Sequence, residues 1–213
     1  MTETIRAAAS VIAVRESDLG PEVLVLERGA GSRFLPGYVA FPGGATDGQD
    51  AAHAARWFGA EAEAPRACAV RELLEEVGLA LTASGLGPVT DDPLAAIDLS
   101  PPRTDQLPRV AHWIAPKEVP VRFDAQYFAV LAPGDVEPEP DGHEAARAWW
   151  VRPTAVLEDW ASGRRKLYWP TYFTMRALAE CGTADGLLAL RLRTREPDPE
   201  EIERLPRSTF WQD

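Results

Sequence analysis

The sequence predicts a layered α/β fold with a mixed sheet. Three observations carry that reading. Short aliphatic runs interleave with helix-length segments along the chain. A glycine-rich segment over residues 29–50 interrupts that rhythm. Downstream of it, a helix with one apolar and one acidic face needs a sheet to cover its apolar side. The chain has 213 residues, enough for one domain or one domain with an appendage. A chain of that size buries about 70% of its unfolded surface and folds without staples.

The elements follow in order. Val11 to Val14 and Val23 to Leu26 are β-branched and aliphatic, with Gly20-Pro21 between them, so they read as two strands joined by a turn. Residues 29–50 read as a loop with a function. A helix covers Asp50 to Phe58. A second runs from about Pro65 to Val77, with proline suited to its first turn and Gly78 just past its end. Residues 83–104 are loop-like, with four prolines. Arg109 to Ala115, Arg122 to Leu131 and Ala146 to Val151 read as strands. The acidic, proline-bearing stretch 133–143 reads as a mobile surface loop. Pro153 to Ala161, Thr171 to Cys181 and Asp185 to Leu192 read as helices, and Glu196 to Arg207 as a charged, solvated tail.

Composition excludes several functions. Lys plus Arg is 22 and Asp plus Glu is 33, giving a net charge of −11. That balance argues against a nucleic-acid binder and against an anionic membrane surface as partner. A phosphate substrate would be repelled globally, so local arginines or a divalent metal must compensate. Two cysteines, Cys68 and Cys181, are too few for a disulfide framework. No apolar run approaches the roughly 20 residues of a membrane span. Residues 7–14 read as a strand rather than a signal core, because Arg15 and Glu16 follow directly. A cytoplasmic protein is expected. His53, His112 and His143 are scattered, with no metal-ligand spacing. Neither a nucleophile elbow nor a P-loop is present.

The strongest signal is Arg71-Glu72-Leu73-Leu74-Glu75-Glu76-Val77-Gly78-Leu79. On a helix, Glu72, Glu75 and Glu76 fall within one arc of about 100°, and Val70, Leu73, Leu74 and Val77 fall opposite. Carboxylates packed together in a cleft raise one another's pKa, and a divalent cation removes the conflict. Hard oxygen ligands favour Mg²⁺ or Mn²⁺ over Zn²⁺. Arg71 lies one turn from Glu75 and can orient it. The bare spacing also suits a solvated acidic face, so the flanking residues must decide.

Glu63, seven residues, Arg71-Glu72-Leu73, one residue, Glu75-Glu76, one residue, Gly78-Leu79 resembles the Nudix hydrolase box. The box normally opens with a glycine five residues before its first glutamate. Here the candidate is Gly44, in Phe41-Pro42-Gly43-Gly44, and eighteen residues separate it from Glu63. The resemblance implies a Nudix-type α/β/α sandwich with a mixed β-sheet, a long loop insertion inside the box at about 45–62, and extra C-terminal helices. The domain would span 5–182, with 183–213 a C-terminal helix and acidic tail. It further implies that Glu72, Glu75 and Glu76 bind the metals, with Glu75 and Glu76 leading, and that the backbone near Gly44 completes the shell. Glu75→Gln is then expected to abolish turnover and leave the fold intact. The implied reaction is hydrolysis of a diphosphate joined to a nucleoside, with Mg²⁺ or Mn²⁺.

Arg28-Gly29, Arg33, Gly37 and Phe41-Pro42-Gly43-Gly44 recur at a regular interval upstream. That spacing resembles the motif preceding the box in coenzyme A diphosphatases, most closely the peroxisomal subgroup and its bacterial relatives. The departures are Glu27, where that family commonly has Lys, and Gly29, where it has Ser or Ala. The likeness continues weakly through Trp113, Pro116, Arg122-Phe123-Asp124, Trp149 to Pro153 and Pro170-Thr171, covering about residues 8–180. It implies substrate contacts from Arg28, Arg33, Gly37, Phe41 and Gly43. Arginines could grip phosphate bidentately, and the glycines admit close backbone approach. Arg103 and Arg109 add only charge. Glu144 is the candidate general base. Asp47 and Asp50 sit just past the glycines, where they could reach outer-shell metal waters, but they read first as helix caps, with Asp50 at the start of the next helix. Trp149, Trp150, Trp160 and Trp169 either line a pocket or fill the core.

Three readings stay open. The first is hydrolysis of coenzyme A or an acyl-coenzyme A to 3′,5′-ADP and 4′-phosphopantetheine or its acyl form. The second is a hydrolase of ADP-ribose, dinucleotides or nucleotide sugars. The third is a non-catalytic nucleotide sensor, which retention of all three box glutamates argues against. The partner is a small nucleotide in each case, with a homodimer possible.

Overall fold

The computed structural model describes residues 5–32, 34–89, 91–115 and 122–192, together with Glu200, Glu203, Leu205, Pro206 and Thr209. Its strands are β1 (Arg6–Arg15), β2 (Glu22–Arg28), β3 (Tyr38–Ala40), β4 (Gly43–Ala45), β5 (Leu79–Thr82), β6 (Gly85–Pro88), β7 (Arg109–Ile114), β8 (Phe123–Leu131), β9 (Ala145–Val151) and β10 (Lys166–Leu167). Its helices are α1 (Gly48–Phe58), α2 (Ala64–Val77), α3 (Pro93–Leu99), α4 (Pro153–Ala161), α5 (Trp169–Ala179) and α6 (Ala184–Ala189).

The main sheet is mixed, as the sequence predicts. β1 runs parallel to β8 from Arg6 to Val14 and antiparallel to β2. β1 and β2 pair only at Val14–Val23 and Arg15–Glu22, and then diverge. Beyond that point β4 takes over the edge of β1 at Ala8 to Ser10, while β3 takes the edge of β2 at Leu26 and Glu27. β9 covers the other edge of β2, and β7 closes the sheet beyond β8. The fork between β1 and β2 is what admits the β3–β4 segment to the centre of the molecule.

Strand periodicity divides the core in two. Ala9, Val11 and Ala13 of β1, with Leu24 and Leu26 of β2, pack on the side of α1 and α2. Ile12 and Val14, with Val23 and Val25, pack on the side of α4, α5 and α6. Helices thus cover both faces, the α/β/α sandwich expected from the resemblance.

Several local expectations change. The segment between Gly44 and Glu63, a long loop by the resemblance, is mostly helix α1, which the residues themselves predict over Asp50 to Phe58, followed by a 3₁₀ turn at Glu61–Glu63. Asp47 caps α1 through the backbone N–H groups of Gln49 and Asp50, and the Asp50 carboxylate returns a bond to the Asp47 N–H. Loop-like 83–104 holds β6, which pairs with β5, and α3; Pro88 ends β6, Pro93 starts α3, and Pro101 and Pro102 follow it. β1 starts five residues before its expected β-branched run, because its alanine-rich first half pairs with β4 and β8. α5 begins two residues early, with Pro170 in its first turn, and α6 ends before Leu190. The acidic stretch 133–143 is tied down rather than mobile: Val136 is buried, and Glu139 and Asp141 donate N–H bonds to Val77 and Glu76 of α2. Most of the charged tail lies outside the described residues, but Leu205 packs against the core.

Candidate active site

Helix α2 builds the site. Pro65 occupies its first turn, and Gly78 ends it in the left-handed conformation (φ 65°), donating its N–H to Leu74 at 3.1 Å. Val70, Leu73 and Val77 go into the core, while Glu72 and Glu76, one turn apart, lie buried under the edge of β4. β4 must be glycine there. The Gly43 N–H donates to Glu76 Oε2 at 2.7 Å. A Cβ at Gly44 would overlap the Glu72 carboxylate, and one at Gly43 would overlap β1. The Gly44 carbonyl lies 3.7 Å from Cys68 Sγ.

The end of α2 delivers the third carboxylate. Its last carbonyls need partners, and the 139–141 segment supplies them. The Asp141 carboxylate then accepts N–H bonds from His143, Glu144 and Ala145, at 3.1, 3.1 and 2.8 Å. That turn aims Glu144 at the helix. Gly29 supports it from the other side, donating its N–H to the Glu144 carbonyl at 2.8 Å, with no room for a Cβ beside His143. One oxygen each from Glu72, Glu76 and Glu144 lie within 4.8 Å of one another.

The electrostatics match the geometry. Burial pushes Glu72 up to about 7; Arg71 opposes this, and Glu75 and Glu144 add to it. Burial pushes Glu76 up to about 8, with Glu72 adding and the Gly43 N–H and Arg28 opposing. Arg71 is the organising cation. Its Nε and one terminal nitrogen donate to the two oxygens of Asp50, at 2.9 and 3.1 Å. Its other terminal nitrogen donates to Glu72 and Glu75, both at 2.8 Å. Burial works against the charged guanidinium, but these carboxylates outweigh it and hold Arg71 firmly protonated. Burial also pushes the Cys68 thiol up, so it packs rather than reacts.

Two cavities meet over β4. An acidic cleft of about 720 Å³ is lined by Glu72, Glu75, Glu76 and Glu144, with Arg6, Arg28 and Arg71 as its cations among the described residues. A second cavity of about 200 Å³ has aromatic walls from Phe34, Phe41, Trp113, Phe123, Tyr168 and Trp169. Arg28, Phe34 and the Gly43–Ala45 edge line both, so the two are continuous. At the mouth, the Phe34 ring sits 5.5 Å from both Phe123 and Tyr168.

The sequence candidates therefore separate. Glu72, Glu76, Glu144, Gly43 and Gly44 come together. Glu75 stands on the cleft rim, half exposed and bound to Arg71. Arg28 faces both cavities and spends its Nε on the Phe34 carbonyl at 2.8 Å. Gly37 turns the chain at φ 75°, returning its N–H to the Arg28 carbonyl at 2.9 Å. Phe41 lies edge-on to Tyr127 in the aromatic wall. Arg33 and Pro116 lie outside the described residues. Glu63 is away from the cluster, paired with Arg66 at the start of α2. Arg103 pairs with Asp105 and Arg109 with Gln126, and neither lines the cleft. Of the four tryptophans, only Trp169 reaches the aromatic cavity. Trp149 packs under Arg147 and Arg165, Trp150 donates to the Val136 carbonyl, and Trp160 stacks on Tyr172.

Sequence reasoning names Asp50 but passes over its pairing with Arg71, and it misses Arg6 and most of the aromatic wall. Asp50 precedes Arg71 by 21 residues, with an intact capping role of its own, so no spacing rule links them. The aromatic wall draws on five separate elements or loops, which a linear scan cannot group.

The donor set suits a hard divalent cation. Three carboxylates with all-oxygen donors converge, two of them buried where their negative charge otherwise repels. No helix among the described residues is long and apolar enough to cross a membrane.

Comparison with known proteins adds an independent line. The family model for the NUDIX domain matches residues 4–169. The putative nudix hydrolase 7 of Caenorhabditis elegans is 29% identical over 196 residues, covering 84% of this chain and 62% of its own length. The chain therefore spans less than two thirds of that curated relative. The crystal structure of a NUDIX hydrolase from Alicyclobacillus acidocaldarius superposes with a TM-score of 0.74 at 28% identity, covering 90% of this chain and 98% of that one.

Proposed function

The chain belongs to the NUDIX domain family, and from that premise we propose that it is a diphosphatase dependent on Mg²⁺ or Mn²⁺. Its substrate would be a diphosphate linked to a nucleoside, and residues 5–182 would form the catalytic unit. The observation that carries this reading is the convergence of Glu72, Glu76 and Glu144 in a cleft continuous with an aromatic cavity. Glu72 and Glu76 would hold the cation, with Glu75 joining from the rim. When bound, a divalent cation neutralises the diphosphate and lowers the pKa of an attacking water. Glu144, exposed on its loop, would take a proton from such a water. Arg28 and Arg6, which line the same cleft, would orient the phosphates. The aromatic cavity would hold an apolar or ring-bearing end of the substrate by stacking.

Within that class, coenzyme A or an acyl-coenzyme A is the first reading, supported by the Arg28-Gly29 to Gly43-Gly44 spacing. ADP-ribose, a dinucleotide or a nucleotide sugar is the second. Its support is that Arg6, Arg28 and Arg71 are the cleft's cations among the described residues, a set that suits a diphosphate without a further phosphate.

A product assay by mass spectrometry separates them. The chain with Mg²⁺, then Mn²⁺, meets equal concentrations of coenzyme A, acetyl-coenzyme A, dephospho-coenzyme A, ADP-ribose and NADH. Selective appearance of 3′,5′-ADP supports the first reading. Loss of ADP-ribose or NADH supports the second. Ligand-induced stabilisation without any product would contradict both and favour a sensor.

A further inference from the structure

We propose that Asp50, carried by the inserted helix α1, is a positioning residue for the acidic site, acting through Arg71 on Glu72 and Glu75. The inference rests on the cation-binding role of Glu72 and Glu76 argued above.

Asp50 is fully buried, a costly place for a carboxylate unless a cation meets it. Its partner is Arg71, held along one edge of the guanidinium by two bonds of 2.9 and 3.1 Å. The guanidinium is planar, so fixing that edge fixes the remaining nitrogen. That nitrogen donates at 2.8 Å to both Glu72 and Glu75. A third contact, from Arg71 to the Ala45 carbonyl at 3.3 Å, ties the same group to the β4 edge. Asp50 also offsets the charge of Arg71. Arg71 therefore orients Glu72 while the cleft keeps the negative potential that a cation needs. Without Asp50, Arg71 would lose its fixed edge, and its charge, no longer offset, would compete with the cation for Glu72 and Glu75. The insertion thus contributes to the site from behind, although none of its side chains beyond Ala45 lines the cleft.

Asp50 also completes the capping box of α1, so a purely structural role must be separated. The experiment titrates Mn²⁺ into the metal-free full chain by calorimetry or electron paramagnetic resonance, with melting temperatures in parallel. Five proteins are compared: wild type, Asp50→Asn, Asp47→Ala, Arg71→Lys and the double variant of Asp50→Asn with Arg71→Lys. Asp47→Ala removes the helix cap but leaves the Asp50–Arg71 pair. Loss of an outer partner of this kind weakens metal binding roughly 10- to 100-fold. The expected result is such a rise in the Mn²⁺ Kd for Asp50→Asn and Arg71→Lys, with no further rise in their double variant. Asp47→Ala should melt lower yet keep the wild-type Kd. Equal Kd values in Asp50→Asn and Asp47→Ala, or additive losses in the double variant, would overturn the proposal. If Asp50→Asn does not fold, Arg71→Lys carries the test, and an unchanged Kd there overturns it. A wild-type chain that binds no Mn²⁺ would instead remove the cation reading itself, and this inference with it.

Discussion

Gly44 and Glu72 meet across the edge of β4, so closely that a side chain at position 44 would fall within the Glu72 carboxylate. The glycine is therefore a condition of the site's geometry. Gly44→Ala is expected to displace Glu72 and lower kcat by about 100-fold, the scale of a one-ångström misplacement. The melting temperature should fall only modestly, since the clash is relieved at the cleft. Steady-state kinetics beside a thermal melt check this. A variant with wild-type kcat would show that Glu72 needs no fixed position.

Asp141 should matter although it touches no substrate. Its carboxylate gathers the N–H groups of His143, Glu144 and Ala145. Asp141→Ala releases that turn and lets Glu144 drift from Glu72 and Glu76. The expected outcome is a kcat reduced at least tenfold, with KM nearly unchanged, if Glu144 takes the proton. Recovery in Asp141→Asn, which keeps an acceptor, would assign the effect to the turn rather than to charge.

The helix that carries Glu72 and Glu76 is legible in the sequence, because its apolar positions recur at helical spacing and Gly78 falls where a left-handed cap is needed. β1 and β2 are legible in part, as short β-branched and aliphatic runs, although the alanine-rich first half of β1 is not. The Asp50–Arg71 pair is not. It joins an inserted helix to the box through tertiary packing, and the capping box already accounts for Asp50 locally. Nor does the sequence reveal that 133–143 is ordered. Its acidic, proline-bearing composition looks solvated, but its backbone N–H groups serve the open carbonyls of α2. Glu144 could be singled out only by its place before a strand. Its meeting with Glu72 and Glu76 depends on the turn at Asp141.

Metal-free stability should fall with rising pH. In the unfolded chain Glu72 and Glu76 ionise near 4.5, whereas in the folded chain they keep their protons up to about 7 and about 8. Between those values the unfolded state holds fewer protons, so unfolding becomes easier as pH rises. The melting temperature in chelator should drop from about pH 5 to about pH 8.5, and less steeply for Glu76→Gln. Added Mn²⁺ should stabilise most at the upper end, where the carboxylates bind it without first losing a proton. A pH-independent melting curve in chelator would contradict the buried-carboxylate picture.

Phe34 should set affinity rather than rate. Its ring closes the aromatic cavity against Phe123 and Tyr168. Stacking of a base on an aromatic side chain is worth about 1–3 kcal/mol. Phe34→Ala should therefore raise KM about tenfold for a substrate whose ring enters the cavity, and leave kcat within about twofold. An unchanged KM would place the ring elsewhere.

A single comparison of wild type and Glu76→Gln in Mn²⁺ tests whether the acidic cluster is where the diphosphate is cut. Products from the five-substrate mixture would be identified by mass spectrometry. Gln keeps the acceptor that Gly43 needs but removes the charge that a cation needs. The wild type should cleave a diphosphate, and a folded Glu76→Gln should release no product above background. Equal turnover by the two would show that the cluster of Glu72, Glu76 and Glu144 is not where the chemistry occurs.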